Sequence, residues 1–275
     1  MVTGILSLCG ARLPEPLFGA SEGNPKGHWE PIDALKLNDA FLFRHGTTWW
    51  DPTLHLQNEA LFSDQEREAL IGQILVFLEA CPSGLLLVIK DPRIVALSDF
   101  WFEASRRAGL TVKIVIPIRH PDQVAASLAA RDGVSFELSS ILWLKYNLLA
   151  ERGSRGLPRV FVEYSNVLSD WRKEIDRISE RLAIDLSATD EVAIDSFVDH
   201  DLHRQRSSGK PNDIFGQPWI SDAYTALSAA ARDEPLDTQK IDAIFSAFAA
   251  CERTFRISLD EFRGRFGPSP QRTIE

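Results

Sequence analysis

The sequence predicts an α/β domain in which a parallel sheet is flanked by helices. Short, mostly apolar segments bounded by glycine, proline or charged residues are typical of strands that are buried on both faces. Amphipathic segments with helical spacing separate them, and such alternation forms βαβ units. The length of 275 residues suits one domain. We therefore expect residues 1–275 to form a single domain with a disordered tail from about residue 267.

Three segments are predicted as strands, at residues 85–90, 112–118 and 159–164. Each is apolar along most of its length and ends in charged or polar residues. Ligands bind at the carboxyl edge of the strands in open α/β sheets, so these polar ends mark the place to look for a site.

Helices are predicted between and around the strands. Ser63 and Glu66 have the spacing of a capping box, and Pro121 suits the first turn of a helix. Gly10 is placed to end the first helix. The predicted helices span residues 2–8, 32–43, 63–80, 97–108, 121–130, 136–152, 171–182 and 236–256.

Composition and charge exclude several functions. The net charge of -9 argues against broad nucleic-acid binding, which depends on neutralising phosphates. The three cysteines are widely spaced and the histidines show no metal-binding pattern, so we expect reduced thiols and no metal. The sequence has no apolar run of about 20 residues and no secretory signal, which makes the cytoplasm the default location.

The strongest motif follows the second predicted strand. Arg119 leaves the strand end, Pro121 opens a helix, and Ser127 comes eight positions after the arginine. An arginine at this edge can hold a phosphate with its two-pronged guanidinium. The pattern resembles the 3'-phosphate-binding motif of sulfotransferases that use 3'-phosphoadenosine-5'-phosphosulfate (PAPS). The acid that the family places two positions after the proline is replaced here by Gln123, with Asp122 one position earlier.

The resemblance implies a P-loop-like sulfotransferase fold, with Arg119 and Ser127 binding the 3'-phosphate. The alternative is an arginine that caps a strand end and a serine that faces solvent. A second segment, Lys90-Asp91-Pro92-Arg93, is similar to one in bacterial sulfotransferases, and it implies that Lys90 and Arg93 face the transferring group. Pro92 stands where eukaryotic members carry a catalytic histidine. A charged turn that caps a strand is the alternative for this segment.

Three further segments resemble the family. Tyr164 follows the third predicted strand and corresponds to a tyrosine that contacts the nucleotide; an ordinary core tyrosine is the alternative. The loop at 22–30 resembles a family loop that supplies an acidic general base, which implies that Glu30 is the base. His28 is the other candidate for the base. The alternative role for Glu30 is an ion pair that holds the loop in place. Arg204 and Arg206 correspond to a basic segment of the family that closes over the nucleotide. A solvent-exposed loop without a binding role is an equal alternative for these two arginines.

The resemblance also predicts a missing part. In the family, a central strand and a phosphosulfate-binding loop come before the helix that corresponds to residues 2–8. Residues 44–49 superficially resemble that loop, but they follow a predicted helix and precede Pro52. We therefore expect a gap in the sheet with exposed apolar neighbours, and a chain that alone is poorly stable or inactive. Full PAPS-dependent turnover by the purified chain would contradict this expectation.

The resemblance predicts transfer of a sulfuryl group from PAPS to a hydroxyl or amine. The acceptor is expected to be a small molecule or a glycan, and a lipid-linked sugar is one candidate. The oligomeric state is left open. The alternatives are a non-catalytic nucleotide-binding or interaction protein with a degenerate sulfotransferase fold, and a nucleotide or small-molecule kinase. The kinase would need a Gly-x-x-x-x-Gly-Lys-Ser/Thr loop, which the sequence lacks.

Overall fold

The structure is a computed structural model that describes residues 1–21, 24–57, 61–82, 84, 86–198 and 209–266. The fold is mixed α/β and mostly helical, with a small parallel sheet of two strands. The tail that we expected to be disordered, from about residue 267, lies outside these residues. None of the described helices is both long enough and apolar enough to cross a lipid bilayer.

The helices and strands follow the predicted order closely. In chain order they are α1 (Val2–Leu8), β1 (Leu17–Phe18), β2 (Glu30–Pro31), α2 (Ile32–Arg44), α3 (Asp64–Ala80), α4 (Ser98–Arg107), β3 (Ile114–Ile118), α5 (Pro121–Asp132), α6 (Phe136–Gly153), β4 (Arg159–Glu163), α7 (Tyr164–Ser169), α8 (Trp171–Leu182), α9 (Glu191–Phe197), α10 (Trp219–Ala230) and α11 (Thr238–Phe266). The described residues also include two 3₁₀ helices, His55–Gln57 and Pro92–Leu97.

Local sequence signals explain several of these boundaries. The backbone N–H of Glu66 donates to Ser63 Oγ at 3.2 Å, and the N–H of Ser63 donates to the Glu66 carboxylate at 2.9 Å, which completes the predicted capping box of α3. Helix α5 begins at Pro121 and ends before Gly133, whose φ of 67° is the left-handed value that glycine adopts readily. Helix α11 runs about ten residues beyond its predicted end, because no glycine or proline interrupts residues 238–263.

Strands β3 and β4 pair in parallel over five residues, with Ile114 opposite Arg159 and Ile118 opposite Glu163. Val160, Phe161 and Val162 of β4 are buried. The chain crosses from β3 to β4 through α5 and α6, as expected for a parallel pair. The predictions of the second and third strands are therefore confirmed to within two residues.

The prediction of a continuous strand at 85–90 is wrong. Within the described residues this segment forms one isolated parallel bridge, in which Arg12 N donates to Leu86 O at 2.9 Å and Val88 N donates to Arg12 O at 2.8 Å. The next bond of such a ladder would need a backbone N–H on the residue two positions after Arg12. That residue is Pro14, which has none, so the pairing stops.

A cavity of about 480 Å³ separates residues 86–90 from β3. Val88 and Ile89 line one side, Val115 lines the other, and Leu6 of α1 and Phe102 of α4 also reach it. The sheet is therefore continuous from β3 to β4 and interrupted between β3 and residues 86–90.

Candidate functional site

Glu30, Lys90 and Arg93 lie together although 60 residues of sequence separate the glutamate from the lysine. Lys90 Nζ donates to Glu30 Oε1, and an Arg93 guanidinium N–H lies 3.4 Å from Glu30 Oε2. The side chain of Glu30 is 8% exposed, whereas that of Lys90 is 39% exposed. Glu30 opens β2 and the two cations flank Asp91-Pro92, so three of the predicted residues form one cluster.

A polar network holds Arg93 from behind. Asp91 accepts hydrogen bonds from the backbone N–H of Arg93 at 3.0 Å and from its guanidinium at 2.9 Å. Asn38 donates to Asp91 at 2.8 Å and accepts from the Trp101 indole at 3.0 Å. Asp39 accepts from Arg93 Nε at 2.5 Å. The arginine is therefore fixed by the amino end of a 3₁₀ helix and by α2.

The electrostatics of Arg93 differ from those of an isolated buried arginine. Burial acts to lower the pKa of its guanidinium, but the hydrogen bond that Arg93 donates to Asp39 and the charge of Asp91 outweigh burial and raise that pKa. Arg93 thus carries a fixed positive charge that is hydrogen-bonded to the carboxylates of Asp39 and Asp91.

Arg119 and Tyr164 form a second cluster at the ends of β3 and β4. The guanidinium carbon of Arg119 lies 4.6 Å from the centre of the Tyr164 ring, which is the arrangement of a cation–π contact. Arg119 Nε donates to Gln123 Oε1 at 3.2 Å, and the Trp143 indole donates to the Arg119 carbonyl at 2.9 Å. Two adjacent parallel strands therefore deliver these two predicted nucleotide-binding residues to one place.

Ser127 lies on α5, one helical turn beyond Gln123 on the same face, and it is half-buried. Within the described part of the chain, Ser127 and Arg119 are not hydrogen-bonded to each other; Gln123 lies between them along the helix. The structure thus places Ser127 on the same face of α5 as Gln123 and shows no hydrogen bond between Ser127 and Arg119 within the described residues.

Arg119 has no carboxylate within 4.0 Å among the described residues, unlike Arg93. Burial lowers the pKa of the Arg119 guanidinium, and the neighbouring Tyr164 offsets this only in part. A partly buried cation without a carboxylate is costly, and a bound anion would compensate it. This imbalance is the clearest electrostatic sign of an anion-binding group in the described chain.

Both clusters act electrostatically on the start of α1. Burial first, and then the charges of Lys90 and Arg119, lower the pKa of the α-amino group of Met1 to about 6. Val2 and Thr3 of α1 line the cavity, as does Lys90. Lys90 and Arg119 therefore both lie near enough to Met1 to affect its charge.

His28, the other candidate for the general base, lies near enough to Glu30 for the two charges to interact. Its ring nitrogen Nε2 is 3.1 Å from Ser21 Oγ, and its ring packs on Phe18 at 4.5 Å. Burial lowers the pKa of the His28 imidazole, and Glu30 acts against that effect. Arg204 and Arg206, predicted to close over the nucleotide, lie outside the described residues.

Residues 44–49 do not form a phosphate-binding loop after a buried strand. Helix α2 extends to Arg44, and Thr47 Oγ1 donates to the Asp51 carboxylate at 2.5 Å within the following loop. This agrees with the prediction that the resemblance of this segment to such a loop is superficial.

Sequence reasoning missed four residues of the site: Asn38, Asp39, Gln123 and Tyr224. Asn38 lies one helical turn after buried Ala34 on the inward face of α2, and an amide on an apolar face was the signal for it. Gln123 was treated only as a mismatch, although it lies four positions after Arg119. Tyr224, which donates to Glu163 at 2.6 Å, comes from the distant α10 and gave no signal in the sequence.

Comparison with protein-family models, with curated proteins and with solved structures found no match for this chain. The geometry above therefore stands without support from a relative.

Proposed function

We propose that this chain carries the site of a PAPS-dependent sulfotransferase with a P-loop-like fold, which moves a sulfuryl group to a hydroxyl or amine. One observation carries the proposal. Arg119, which has no carboxylate within 4.0 Å among the described residues, follows β3, and its charge acts on the Met1 amino group together with that of Lys90, which holds Glu30 with Arg93. An anion-binding group and a candidate acid–base group thus both lie near the start of α1.

The residues around Arg119 suit a nucleotide 3'-phosphate. The guanidinium offers charged donors in a planar fork, the ring of Tyr164 lies against it, and the hydroxyl of Ser127 is one turn beyond Gln123. Each group is contributed by the end of a strand or the first turns of α5. We propose that Arg119 and Ser127 hold the 3'-phosphate and that Tyr164 contacts the nucleotide.

The Glu30 cluster suits the reacting end. PAPS supplies the sulfuryl group, and the acceptor oxygen or nitrogen forms the new bond to sulfur as the bond from sulfur to the 5'-phosphate oxygen breaks. Glu30 takes the acceptor proton at Oε2, because its contact with Arg93 there is long at 3.4 Å and Lys90 occupies Oε1. Lys90 and Arg93 place positive charge where negative charge develops on the leaving oxygen.

The acceptor is proposed to be a small molecule or a glycan. Trp49 and Trp50 stack with ring centres 3.6 Å apart, and the Arg93 guanidinium lies 5.9 Å from the Trp49 ring. An aromatic surface beside the proposed reacting end can pack against the apolar face of an acceptor and orient it.

The cavity beside β3 favours a second candidate, a non-catalytic nucleotide-binding protein with the same fold. The cavity separates the half of the site at Arg119 from the half at Lys90, so the first half could bind nucleotide while the second fails to react. The two candidates predict the same binding and differ in turnover. Binding of nucleotide without sulfuryl transfer to any hydroxyl or amine acceptor would favour the second.

Calorimetric titration with 3'-phosphoadenosine 5'-phosphate tests the binding step that both candidates share. We expect saturable binding by the purified chain and binding weaker by about 10- to 100-fold in Arg119→Ala, because a charge-assisted contact is lost. Arg106→Ala is the matched control, since Arg106 is an exposed arginine paired with Glu103 on α4. A folded parent that does not bind, or an Arg119→Ala protein that binds equally well, would refute the proposal.

A further inference from the structure

Two acidic residues lie beside the strand ends that carry Arg119 and Tyr164. Glu163 is the last residue of β4 and lies opposite Ile118, which directly precedes Arg119. Neighbouring strands are about 4.8 Å apart, so an arginine at this edge can reach a carboxylate of the next strand. Asp122 lies in the first turn of α5. Arg119 nevertheless pairs with neither acid in the described part of the chain, where no carboxylate lies within 4.0 Å of it.

Tyr224 of α10 holds the carboxylate of Glu163. Its hydroxyl donates to Glu163 Oε1 at 2.6 Å. Ile220 and Leu227, one helical turn before and one turn after Tyr224, are completely buried, so Tyr224 lies on the inward face of α10. Burial first, and then the bond to Glu163, raise the pKa of the Tyr224 hydroxyl to about 12. The hydroxyl therefore stays protonated at neutral pH and remains a donor to the carboxylate.

The contact with Tyr224 holds Glu163 on the face of the sheet opposite to Tyr164. Tyr224 packs against the hydrophobic cluster that includes residues of α6 and α10, whereas Tyr164 packs against the cluster that includes residues of α1 and α8. Alternate residues of β4 belong to the two clusters, so the clusters lie on opposite faces. The guanidinium of Arg119 lies against the Tyr164 ring. Glu163 is thus directed toward α10 and away from Arg119.

Asn212 holds Asp122 in a similar way. The backbone N–H of Asn212 donates to Asp122 Oδ1 at 3.2 Å, and its side-chain amide donates to Oδ2 at 2.8 Å, so both carboxylate oxygens have a donor. The next residue, Asp213, accepts from the backbone N–H of Ile220 at 3.1 Å and so joins this segment to the start of α10. The stretch 212–224 therefore supplies the donors for both acids beside the strand ends.

We propose that Tyr224 is a positioning residue that keeps Arg119 available for an anion by holding Glu163 away from it. Without the Tyr224 hydroxyl, the Glu163 carboxylate loses its donor, and the charged donors of the Arg119 guanidinium are close at hand. Side chains from the two faces can meet beyond the strand ends, where the sheet no longer separates them. The released carboxylate would then compete with the anion. The inference rests on the proposed function only for the identity of that anion, a nucleotide 3'-phosphate.

Calorimetric titration with 3'-phosphoadenosine 5'-phosphate tests this competition. We expect Tyr224→Phe to bind about 3- to 10-fold more weakly than the parent chain, because Glu163 then competes for Arg119. Adding Glu163→Gln removes the competing charge, so the double variant should regain the affinity of the parent. Tyr146→Phe, which removes the hydroxyl that donates to the Trp49 carbonyl, is the matched control and should bind like the parent.

Two results of this titration would overturn the proposal. The first is a folded Tyr224→Phe protein that binds as tightly as the parent. The second is a double variant with Glu163→Gln that stays as weak as Tyr224→Phe alone, because this would show that Tyr224 supports the site only by packing.

Urea denaturation tests the same contact without a ligand. Arg119→Ala and Glu163→Gln are made singly and together, with and without Tyr224→Phe. We expect their effects on the free energy of unfolding to be additive when Tyr224 is present, and a favourable coupling between Arg119 and Glu163 when it is replaced. Such coupling in a chain that binds no nucleotide would support this inference and contradict the proposed function. Additive effects in both backgrounds would overturn the inference even if the parent binds nucleotide.

Discussion

The two edges of β3 differ sharply. Toward β4 the strand pairs over five residues, and Ile118 of β3 and Val162 of β4, whose side chains lie on opposite faces of the sheet, are both completely buried. Toward residues 86–90 it faces a cavity, and Val115 and Ile89 are partly exposed. The same strand is thus an interior element on one side and an open edge on the other.

The two halves of the proposed site lie next to these two different edges of β3. Arg119 and Tyr164 rest on the paired edge, where backbone hydrogen bonds set their positions. Glu30, Lys90 and Arg93 lie beyond the cavity, where their positions depend on side-chain ion pairs and on the contact of Asn38 with Asp91. We therefore expect the nucleotide-binding half to tolerate the open edge better than the half around Glu30.

The largest expected effect concerns the ion pairs beyond the cavity. Arg93→Ala leaves the carboxylates of Glu30, Asp39 and Asp91 without their shared cation, and Arg93 is only 9% exposed, so we expect a loss of about 3–5 kcal/mol in the free energy of unfolding. Urea denaturation measures it. Arg106→Ala on the surface of α4 is the control and should have little effect. Equal losses in both variants would show that the network does not stabilise this region.

Two matched substitutions compare the edges directly. Ile118→Ala removes a completely buried side chain from the paired strand and should cost about 2–5 kcal/mol. Ile89→Ala removes the same atoms from the partly exposed segment beside the cavity, so it should cost about half as much or less. Both are measured by urea denaturation. Equal costs would mean that residues 86–90 are as well packed in solution as β3.

The packing of α1, whose residues Val2, Thr3 and Leu6 line the cavity, can be tested at Gly4. A Cβ atom there would lie 2.5 Å from the ring of Phe197, so Gly4→Ala should destabilise the chain by about 1–3 kcal/mol. Gly72→Ala, in α3, meets no atom within 4 Å and should be stabilising by up to about 1 kcal/mol. Thermal unfolding followed by circular dichroism gives both values. A neutral Gly4→Ala would show that α1 is loosely attached.

The smallest expected effect is a pH dependence at the open edge. The pKa of the Met1 amino group falls from about 8 in the unfolded chain to about 6 in the folded chain, so the unfolded state binds more protons between these values. Stability should therefore rise between pH 6 and pH 8, by about 1–2 kcal/mol after allowance for solvent near the cavity. Amino-terminal acetylation should remove this part of the rise and leave the contribution of the histidines. Identical pH profiles with and without acetylation would contradict the burial of this group.

The fold was predicted from the sequence where local signals decide it. The capping box at Ser63, the proline at 121 and the apolar runs of β3 and β4 specify their elements without tertiary information. The segment 85–90 was overpredicted because its apolar run is typical of a strand, while pairing depends on a partner that ends at Pro14. Such pairing between distant segments is not encoded in the segment itself.

The candidate site was predicted in part for a similar reason. The carboxyl ends of β3 and β4 place Arg119 and Tyr164 together, as the topology of a parallel pair implies, whereas Lys90 follows a segment that forms one isolated bridge among the described residues. The contacts of Asp39 with Arg93 and of Tyr224 with Glu163 join helices to distant strands, and no short-range pattern announces them. That no described carboxylate lies within 4.0 Å of Arg119 is likewise a property of packing rather than of sequence.

The central claim is that Arg119 binds the 3'-phosphate of a nucleotide. A thermodynamic cycle that combines one substitution with one change of ligand tests it most directly. The dissociation constants of 3'-phosphoadenosine 5'-phosphate and of adenosine 5'-phosphate are measured by calorimetry for the parent chain and for Arg119→Ala. We predict that the parent prefers the 3'-phosphorylated nucleotide by about 10- to 100-fold and that Arg119→Ala loses this preference. A preference that persists in the folded Arg119→Ala protein, or its absence from the parent, would contradict the account.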